Sequence, residues 1–141
     1  MGEVRDIMTT DVVTVNQRAT AEYAIRTLLE RDISGAPVVD GDNQLVGIIT
    51  EFQLLEAIYA PEVKQNFVGD LMTKMVFTVE EHTSLVDVTD KLVFLRIRRI
   101  PVVRGRRVVG VVARRDLIRY VIDHGKAPAE TRHADTAFSR A

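Results

Sequence analysis

Arginine side chains are the residues of this sequence whose type and spacing most clearly suggest chemistry. Nine of them lie between positions 96 and 119, namely Arg96, Arg98, Arg99, Arg104, Arg106, Arg107, Arg114, Arg115 and Arg119. The planar guanidinium group can donate two parallel hydrogen bonds to phosphate oxygens, so the cluster could bind a phosphorylated ligand. The plain alternative is a solvated surface, which is the usual place of a charge run.

The arginine cluster belongs to a wider division of charge along the chain. Residues 1–64 hold five basic and eleven acidic side chains, a net charge of −6, whereas residues 65–141 hold fourteen and nine, a net charge of +5. The whole chain of 141 residues therefore carries only −1. If two copies associate antiparallel, the basic half of one faces the acidic half of the other, whereas parallel association brings like charges together. The division predicts an antiparallel homodimer.

Other chemistry finds little support in the residue types. The chain has no cysteine, which excludes disulfides, thiolate metal sites and cysteine nucleophiles. Its three histidines, His82, His124 and His133, form no catalytic set that position can support. The segment DGDNQ at 40–44 resembles a calcium loop, but its glycine is misplaced and the distal glutamate is absent, so we predict a hairpin turn. We expect no catalytic residues, no metal site and no enzyme activity.

The expected location follows from two further absences. No apolar stretch approaches the roughly 20 residues that cross a bilayer. The N-terminus lacks the basic, apolar and small-residue order of a secretory signal. These features predict a cytoplasmic protein without a membrane span.

An internal repeat organises the chain and the arginine cluster with it. Residues 4–9 (VRDIMT) return as residues 68–73 (VGDLMT), a displacement of 64 positions. Residues 45–49 (LVGII) return as residues 108–112 (VVGVV), a displacement of 63, because one residue is missing from the second turn. Each repeat predicts a strand, a helix, two strands and a last helix.

The elements of the first repeat are predicted at 12–15 (strand), 20–31 (helix), 36–39 and 45–49 (strands) and 51–58 (helix). Thr20 can cap the first helix, and in the second repeat Ser84 and Asp87 can form a capping box before a helix whose partner covers 114–123. The unbroken apolar character of the paired strands indicates burial on both faces. Helices packed on small sheets place the chain in the α/β class, of the α+β kind.

The domain boundaries follow from the repeat and from composition. The first repeat, with the segment that leads into it, covers residues 1–62, and Pro61 ends its last helix. The second repeat covers residues 63–125. Residues 126–141 show no periodicity and are predicted to be a disordered tail. A single repeat of about 60 residues buries too little surface to be more than marginally stable on its own, so the two repeats should pack together.

Three short motifs give the repeat a resemblance to a known family. The Asp-x-Met-Thr segment, the Gly-Ala-Pro-Val-Val strand and the Val-Gly-Ile-Ile-Thr strand before a helix look like the cystathionine-β-synthase (CBS) domain, and two in tandem resemble a Bateman module. The resemblance covers residues 4–58 and 68–122. It implies pseudo-twofold-related β-α-β-β-α repeats packed through their small sheets, with two clefts, and a dimer shaped as a flat disk. Such modules bind AMP, ADP, ATP or S-adenosylmethionine and regulate attached or partner proteins without catalysis; this chain would act on a separate partner.

The family pattern also assigns roles near the last helix of each repeat. There a Ser or Thr ends the strand and an Asp follows three residues later, because the hydroxyl and helix amides suit a phosphate and the carboxylate accepts ribose hydroxyls. The first repeat has TEFQ at 50–53 and the second has ARRD at 113–116, so each keeps half of the motif. The resemblance therefore assigns Thr50 to phosphate and Asp116 to ribose. Thr50 and Gln53 also form a capping box that needs no ligand.

The remaining site residues are expected at the cleft of the second repeat. The arginines follow from position, since one pair precedes the Pro101 strand and the other opens the last helix, so both can flank Asp116; the adenine contacts are implied by the resemblance. The expected phosphate ligands are Arg98, Arg99, Arg114 and Arg115, and the expected adenine contacts are Met75, Val76, Phe77, Ile97, Ile100 and Pro101.

Two other functions stay open. Because both half-motifs are incomplete, the chain could be a purely structural dimerisation module. The arginine cluster could instead bind nucleic acid, although aromatic residues make up only 6% of the chain and none lies among residues 104–115, where base stacking would need them.

Overall fold

A computed structural model describes residues 2–125 of the protein. The predicted disordered tail, residues 126–141, lies outside the described residues. Within the described part, no helix is long and apolar enough to cross a membrane.

The first repeat contains β1 (Val15–Asn16), α1 (Ala21–Arg31), β2 (Gly35–Val39), β3 (Leu45–Thr50), α2 (Glu51–Leu54) and α3 (Glu56–Tyr59). The second contains α4 (Val68–Leu71), β4 (Val79–Glu80), α5 (Leu85–Leu95), β5 (Arg99–Arg104), β6 (Arg107–Ala113) and α6 (Arg114–His124). Short 3₁₀ turns cover Val4–Asp6 and Pro61–Gln65.

The strands form two small sheets of the same design. One has the order β1-β2-β3 and the other the order β4-β5-β6. In each sheet the short first strand runs parallel to the second, with Val15 opposite Val38 and Val79 opposite Val102. The strand β2 runs antiparallel to β3. Helices accompany both sheets, which confirms the predicted α+β class.

The long first helix of each repeat begins and ends in the same way. The Thr20 hydroxyl accepts a hydrogen bond from the Tyr23 amide at 3.1 Å, and the Ser84 hydroxyl accepts one from the Asp87 amide at 3.2 Å. Each side chain therefore satisfies an amide that the first helical turn leaves free. Both helices end at a residue with left-handed backbone angles, Asp32 (φ 53°) and Arg96 (φ 54°). The helix starts predicted from Thr20 and Ser84 are confirmed.

Three local predictions differ from the structure. The first strand, predicted at 12–15, is observed as the two-residue β1 at Val15–Asn16. Burial on both faces holds for β2, where Ala36 to Val39 are all buried, but it is wrong for β3, where only Gly47 and Ile49 are buried. An antiparallel strand can leave one face partly open to solvent, and β3 does so. The predicted helix at 51–58 is present as α2 and α3, joined by Leu55, which keeps helical backbone angles (φ −58°, ψ −27°).

The compact units of the fold do not follow the order of the chain. The N-repeat unit consists of residues 13–76 and 106–108, and the C-repeat unit of residues 2–12, 77–105 and 109–125. The lead-in segment of the first repeat, residues 2–12, thus packs in the C-repeat unit, and the lead-in segment of the second repeat, residues 68–76, packs in the N-repeat unit. Val68 lies in the core of the N-repeat unit with Ala24 and Leu28, and Val4 lies in the core of the C-repeat unit with Val88.

Backbone hydrogen bonds fix each lead-in segment beside a strand. Thr73 and Ile48 exchange two such bonds, at 2.8 and 2.9 Å, in the N-repeat unit. Thr9 and Val111 exchange two bonds, at 2.9 and 3.0 Å, in the C-repeat unit. The close approach requires glycine in each strand, because a Cβ at Gly47 would lie 2.5 Å from Met72 Sδ and one at Gly110 would lie 2.5 Å from Met8 Sδ.

Candidate functional site

The half-motif of the N-repeat unit lies where β3 ends and α2 begins. Gln53 Oε1 accepts a hydrogen bond from the Thr50 amide at 2.8 Å and another from the Thr50 hydroxyl at 3.3 Å. Gln53 Nε2 donates to the hydroxyl of Thr73 in the lead-in segment. We call this set of contacts the Gln53 bridge. It links the strand end, the helix start and the lead-in segment of one unit.

The half-motif of the C-repeat unit lies where β6 ends and α6 begins. Asp116 Oδ2 accepts a hydrogen bond from the Ala113 amide at 2.7 Å. Its other oxygen, Oδ1, lies 3.7 Å from Arg119 Nη1. The Asp116 side chain is 12% exposed, while that of Arg119 is 68% exposed. Asp116 therefore stabilises the start of α6, and among residues 2–125 its Oδ1 has only a long ion pair with a largely exposed arginine.

The arginines predicted to bind phosphate meet at this helix start. The Arg98 carbonyl accepts a hydrogen bond from the Arg114 amide at 3.1 Å, which joins the start of β5 to the start of α6. The side chains of Arg98, Arg114 and Arg115 are exposed and that of Arg99 is half-buried. Within residues 2–125, the ion pairs of the cluster involve only Arg104 and Arg119. The four predicted phosphate ligands thus form no ion pair with a described carboxylate.

The predicted adenine contacts are divided between the two units. Met75 (91% exposed) and the half-buried Val76 belong to the N-repeat unit. The other four belong to the C-repeat unit, where Phe77 is exposed, Ile97 is half-buried, and Ile100 and Pro101 are buried. Ile100 is a member of the hydrophobic core, so its side chain is enclosed by other residues.

The segment that contains Met75 and Val76, which the resemblance assigns to the cleft of Asp116, belongs to the unit of Thr50 and Gln53, where Thr73 pairs with β3. The lead-in segment in the unit of Asp116 is instead the one that contains Thr9, which pairs with β6. The reason is that the lead-in segments are exchanged. The segment before the first repeat packs with the second repeat, and the segment before the second repeat packs with the first. Sequence reasoning missed Thr9 and Thr73, although both repeats contain the Met-Thr pair at matching positions.

Charged side chains form several pairs in the C-repeat unit, and one of them joins the N-terminal segment to His82. Glu3 Oε1 lies 3.0 Å from His82 Nδ1 and 3.0 Å from Arg5 Nε. The hydrogen bond with His82 lowers the pKa of Glu3, and the charges of His82 and Arg5 act in the same direction. Glu81 pairs with Arg104 through two hydrogen bonds, and this pairing lowers the pKa of Glu81 below its ordinary value of 4.5.

Each unit also carries a groove between its helices. The groove of the N-repeat unit, of about 480 Å³, lies between α1 and the pair α2 and α3. The groove of the C-repeat unit, of about 400 Å³, lies between α5 and α6. Glu51 and Lys64 line the first groove, and Arg96 and Arg114 line the second, among mostly apolar residues.

Comparison with protein families agrees with this geometry. The family model of the CBS domain matches twice, at residues 4–60 and 68–123. The chain belongs to the CBS domain family. It is a tandem pair, since both matches lie in one chain.

Solved structures of CBS pairs resemble the chain over most of its length. CBSX2 of Arabidopsis thaliana, solved in complex with AMP, is 27% identical with a TM-score of 0.80, and the match covers 89% of this chain and 100% of CBSX2. The CBS pair of protein MJ0100, solved with 5′-methylthioadenosine and S-adenosylmethionine, is 31% identical with a TM-score of 0.73. That match covers 89% of this chain and 99% of the other.

Curated relatives are longer than the aligned region. The uncharacterized protein MJ1225 of Methanocaldococcus jannaschii is 34% identical over 116 residues, which are 82% of this chain and 41% of MJ1225. A homoserine O-acetyltransferase of Methanohalobium evestigatum is 29% identical over 119 residues, 84% of this chain but only 24% of the enzyme. The chain therefore spans well under half the length of these relatives, and the name of the enzyme describes far more than the aligned CBS pair.

Proposed function

We propose that this CBS pair is a non-catalytic, cytoplasmic sensor that binds an adenosine-containing ligand (AMP, ADP, ATP or S-adenosylmethionine) and signals to a separate partner protein. The observation that carries the proposal is the start of α6, where Asp116 lies in the same helical turn as the exposed Arg114 and Arg115, and where the Arg114 amide bonds the Arg98 carbonyl. The complexes of similar CBS pairs with AMP and with S-adenosylmethionine support the same ligand class.

Different residues of the C-repeat unit bind different parts of the proposed ligand. Asp116 keeps acceptor capacity on Oδ1 for ribose hydroxyls, since its ion pair with Arg119 is long, at 3.7 Å, and the arginine is largely exposed. Arg98, Arg99, Arg114 and Arg115 offer guanidinium groups to phosphate oxygens, which favours a nucleotide with several phosphates. Phe77 and Ile97, which belong to the same unit, keep accessible surface for an adenine ring.

A thermal-shift panel of the four ligands tests the proposal. A ligand present at 100 times its dissociation constant should add about 2.7 kcal/mol to the free energy of unfolding. In calorimetric titrations with ATP, Arg115→Ala should weaken binding roughly tenfold, about 1.4 kcal/mol, because a charged hydrogen bond is lost. Arg26→Ala, which changes an exposed arginine on α1 of the other unit, is the control and should bind as the wild type does.

The alternatives predict different results. If none of the four ligands raises the melting temperature, the sensor proposal fails and the purely structural dimerisation module is favoured. If Arg115→Ala instead abolishes a salt-dependent gel shift with DNA or RNA while ATP has no effect, the arginines bind nucleic acid.

We further propose that the sensor is an antiparallel homodimer formed through the helix faces. Large apolar side chains are exposed at matching positions of both units, namely Leu55 and Tyr59 in one and Ile118 and Ile122 in the other. Exposed apolar faces of this kind are typical of interaction surfaces. The groove residues at matching positions carry opposite charge, Glu51 in one unit and Arg114 in the other. This complementarity favours a second copy in antiparallel orientation as the occupant.

Introduced cysteines test the orientation cleanly because the native chain has none. A mixture of Leu55→Cys and Ile118→Cys chains should form disulfide-linked dimers under mild oxidation, while each variant alone should stay largely uncrosslinked. Efficient crosslinking of Leu55→Cys with itself would indicate parallel pairing. Sedimentation of the wild type as a monomer at 100 times the protein concentration used for titration would exclude the dimer.

A further inference from the structure

We infer that Gln53 is a positioning residue that closes the half-motif of the N-repeat unit, so that each chain binds one adenosine-containing ligand, at Asp116. The inference rests on the proposed function, since it concerns how many of the two half-motifs take the ligand. It is carried by the Gln53 bridge and by the difference between an amide and a carboxylate at matching helix positions.

The Gln53 bridge uses the acceptor capacity of its amide completely. The carbonyl oxygen of a glutamine has two lone pairs, and Gln53 Oε1 accepts from both the Thr50 amide and the Thr50 hydroxyl. The Thr50 hydroxyl, the one family-pattern phosphate ligand in this unit, donates its proton within the bridge. No acceptor on Gln53 therefore remains for a pair of ribose hydroxyls.

The same bridge holds the lead-in segment in place. Gln53 Nε2 donates to the Thr73 hydroxyl, and Thr73 is already paired through its backbone with Ile48. A ligand entering here would have to break side-chain hydrogen bonds without gaining a carboxylate partner. The bond to Thr73 is exposed, but the two bonds between Gln53 and Thr50 are half-buried. Breaking half-buried hydrogen bonds without replacement is unfavourable, so the bridge disfavours occupancy.

The matching position in the C-repeat unit lacks such a bridge. A carboxylate can only accept hydrogen bonds, so Asp116 cannot donate to the hydroxyl of Thr9 as Gln53 donates to Thr73. Among residues 2–125, Asp116 accepts a hydrogen bond from the Ala113 amide and has Arg119 at ion-pair distance. Its negative charge also strengthens any hydrogen bond from a ligand hydroxyl.

Titration calorimetry with ATP, and separately with S-adenosylmethionine, measures the number of sites. The wild type should bind one equivalent per chain. Gln53→Asp supplies the missing acid and removes the donor to Thr73, so we expect a second equivalent to bind. Gln53→Ala removes the bridge without supplying an acid and serves as the matched control, with one equivalent expected. Two equivalents in the wild type, or one in a folded Gln53→Asp variant, would overturn the inference.

Amide hydrogen exchange of the full chain tests the bridge without ligand. Loss of the Gln53 side chain should speed exchange at residues 72–76 roughly 2- to 10-fold, the range expected for one neutral hydrogen bond. Unchanged exchange in Gln53→Ala would show that the bridge does not hold the segment. If no nucleotide binds any variant, the proposed function fails, while this exchange comparison still decides whether the bridge exists. If Gln53→Asp does not fold, the wild-type stoichiometry decides the inference.

Discussion

The two half-motifs of this CBS pair differ at both of the positions that the family pattern assigns to a ligand, with Thr50 against Ala113 and Gln53 against Asp116. Gln53 and Asp116 both accept a hydrogen bond from the amide before the helix, at 2.8 Å from Thr50 and at 2.7 Å from Ala113. Only the amide can also donate, and Gln53 uses this to bond Thr73. The comparison shows how a repeated scaffold can keep its helix start in both copies while only one copy retains an acid for a ligand.

The largest effects should come from the glycines that admit the lead-in segments. Gly47→Ala would place Cβ 2.7 Å from the Thr73 carbonyl oxygen, and Gly110→Ala would place it 3.0 Å from that of Thr9, besides the contacts with methionine sulfur. We expect each to lower the free energy of unfolding by about 1 to 3 kcal/mol, with Gly47→Ala the more severe. Urea denaturation measures the loss.

Gly41→Ala is the matched control for both glycine variants. A Cβ at Gly41 would meet no atom within 4 Å, so this variant should unfold at the same urea concentration as the wild type or slightly higher. If Gly47→Ala is as stable as Gly41→Ala, the packing of residues 72–73 against β3 is wrong.

The helix caps should show the two units to be alike. Thr20→Ala and Ser84→Ala each remove one capping hydrogen bond, and each should cost about 1 kcal/mol of stability. Thermal unfolding by circular dichroism checks the pair. A loss confined to one of them would show that the two first helices are not stabilised in the same way.

The smallest expected effect is a pH-dependent change in melting temperature that comes from an ion pair of the C-repeat unit. Pairing with Arg104 lowers the pKa of Glu81, so the pair stabilises the C-repeat unit above the ordinary pKa of 4.5 and loses this contribution as the pH falls through the depressed value. Arg104→Gln should therefore melt below the wild type at pH 7, and the difference should shrink as the pH is lowered below 4.5.

Arg26→Gln is the control for the pH experiment. It removes an exposed pair with Glu22 at 3.7 Å on α1, and exposed pairs of this kind contribute little. Its melting temperature should follow that of the wild type at every pH. A gap between Arg104→Gln and wild type that stays constant down to pH 3 would contradict the role of Glu81.

The sequence predicted the local elements well because they depend on neighbouring residues. Thr20 and Ser84 gave the helix starts, and the repeat gave two sheets of one design. The exchange of lead-in segments could not be predicted, because periodicity does not tell which repeat a short segment packs against. Val4 and Val68 have the same apolar character whichever core they enter.

The candidate site was predicted only in part for the same reason. The sequence places Arg98 just before the Pro101 strand and Arg114 at the start of the last helix, and the hydrogen bond between their backbones joins these two positions. The contact between Gln53 and Thr73 joins residues 20 positions apart and depends on the exchanged segment. The pair of Glu81 and Arg104 likewise joins residues 23 positions apart, one just after β4 and the other at the end of β5, and gives no local pattern in the sequence.

One comparison of affinities tests the central claim, that the ligand binds at Asp116 and not at Thr50. Asp116→Asn can still accept the hydrogen bond from the Ala113 amide but loses the negative charge. Thr50→Val keeps the shape of the side chain but loses the hydroxyl. Calorimetric titration with ATP should show Asp116→Asn at least about tenfold weaker than the wild type, as expected for a lost charged hydrogen bond, and Thr50→Val unchanged. Equal affinity of Asp116→Asn and wild type, with weakened binding by Thr50→Val, would contradict the claim.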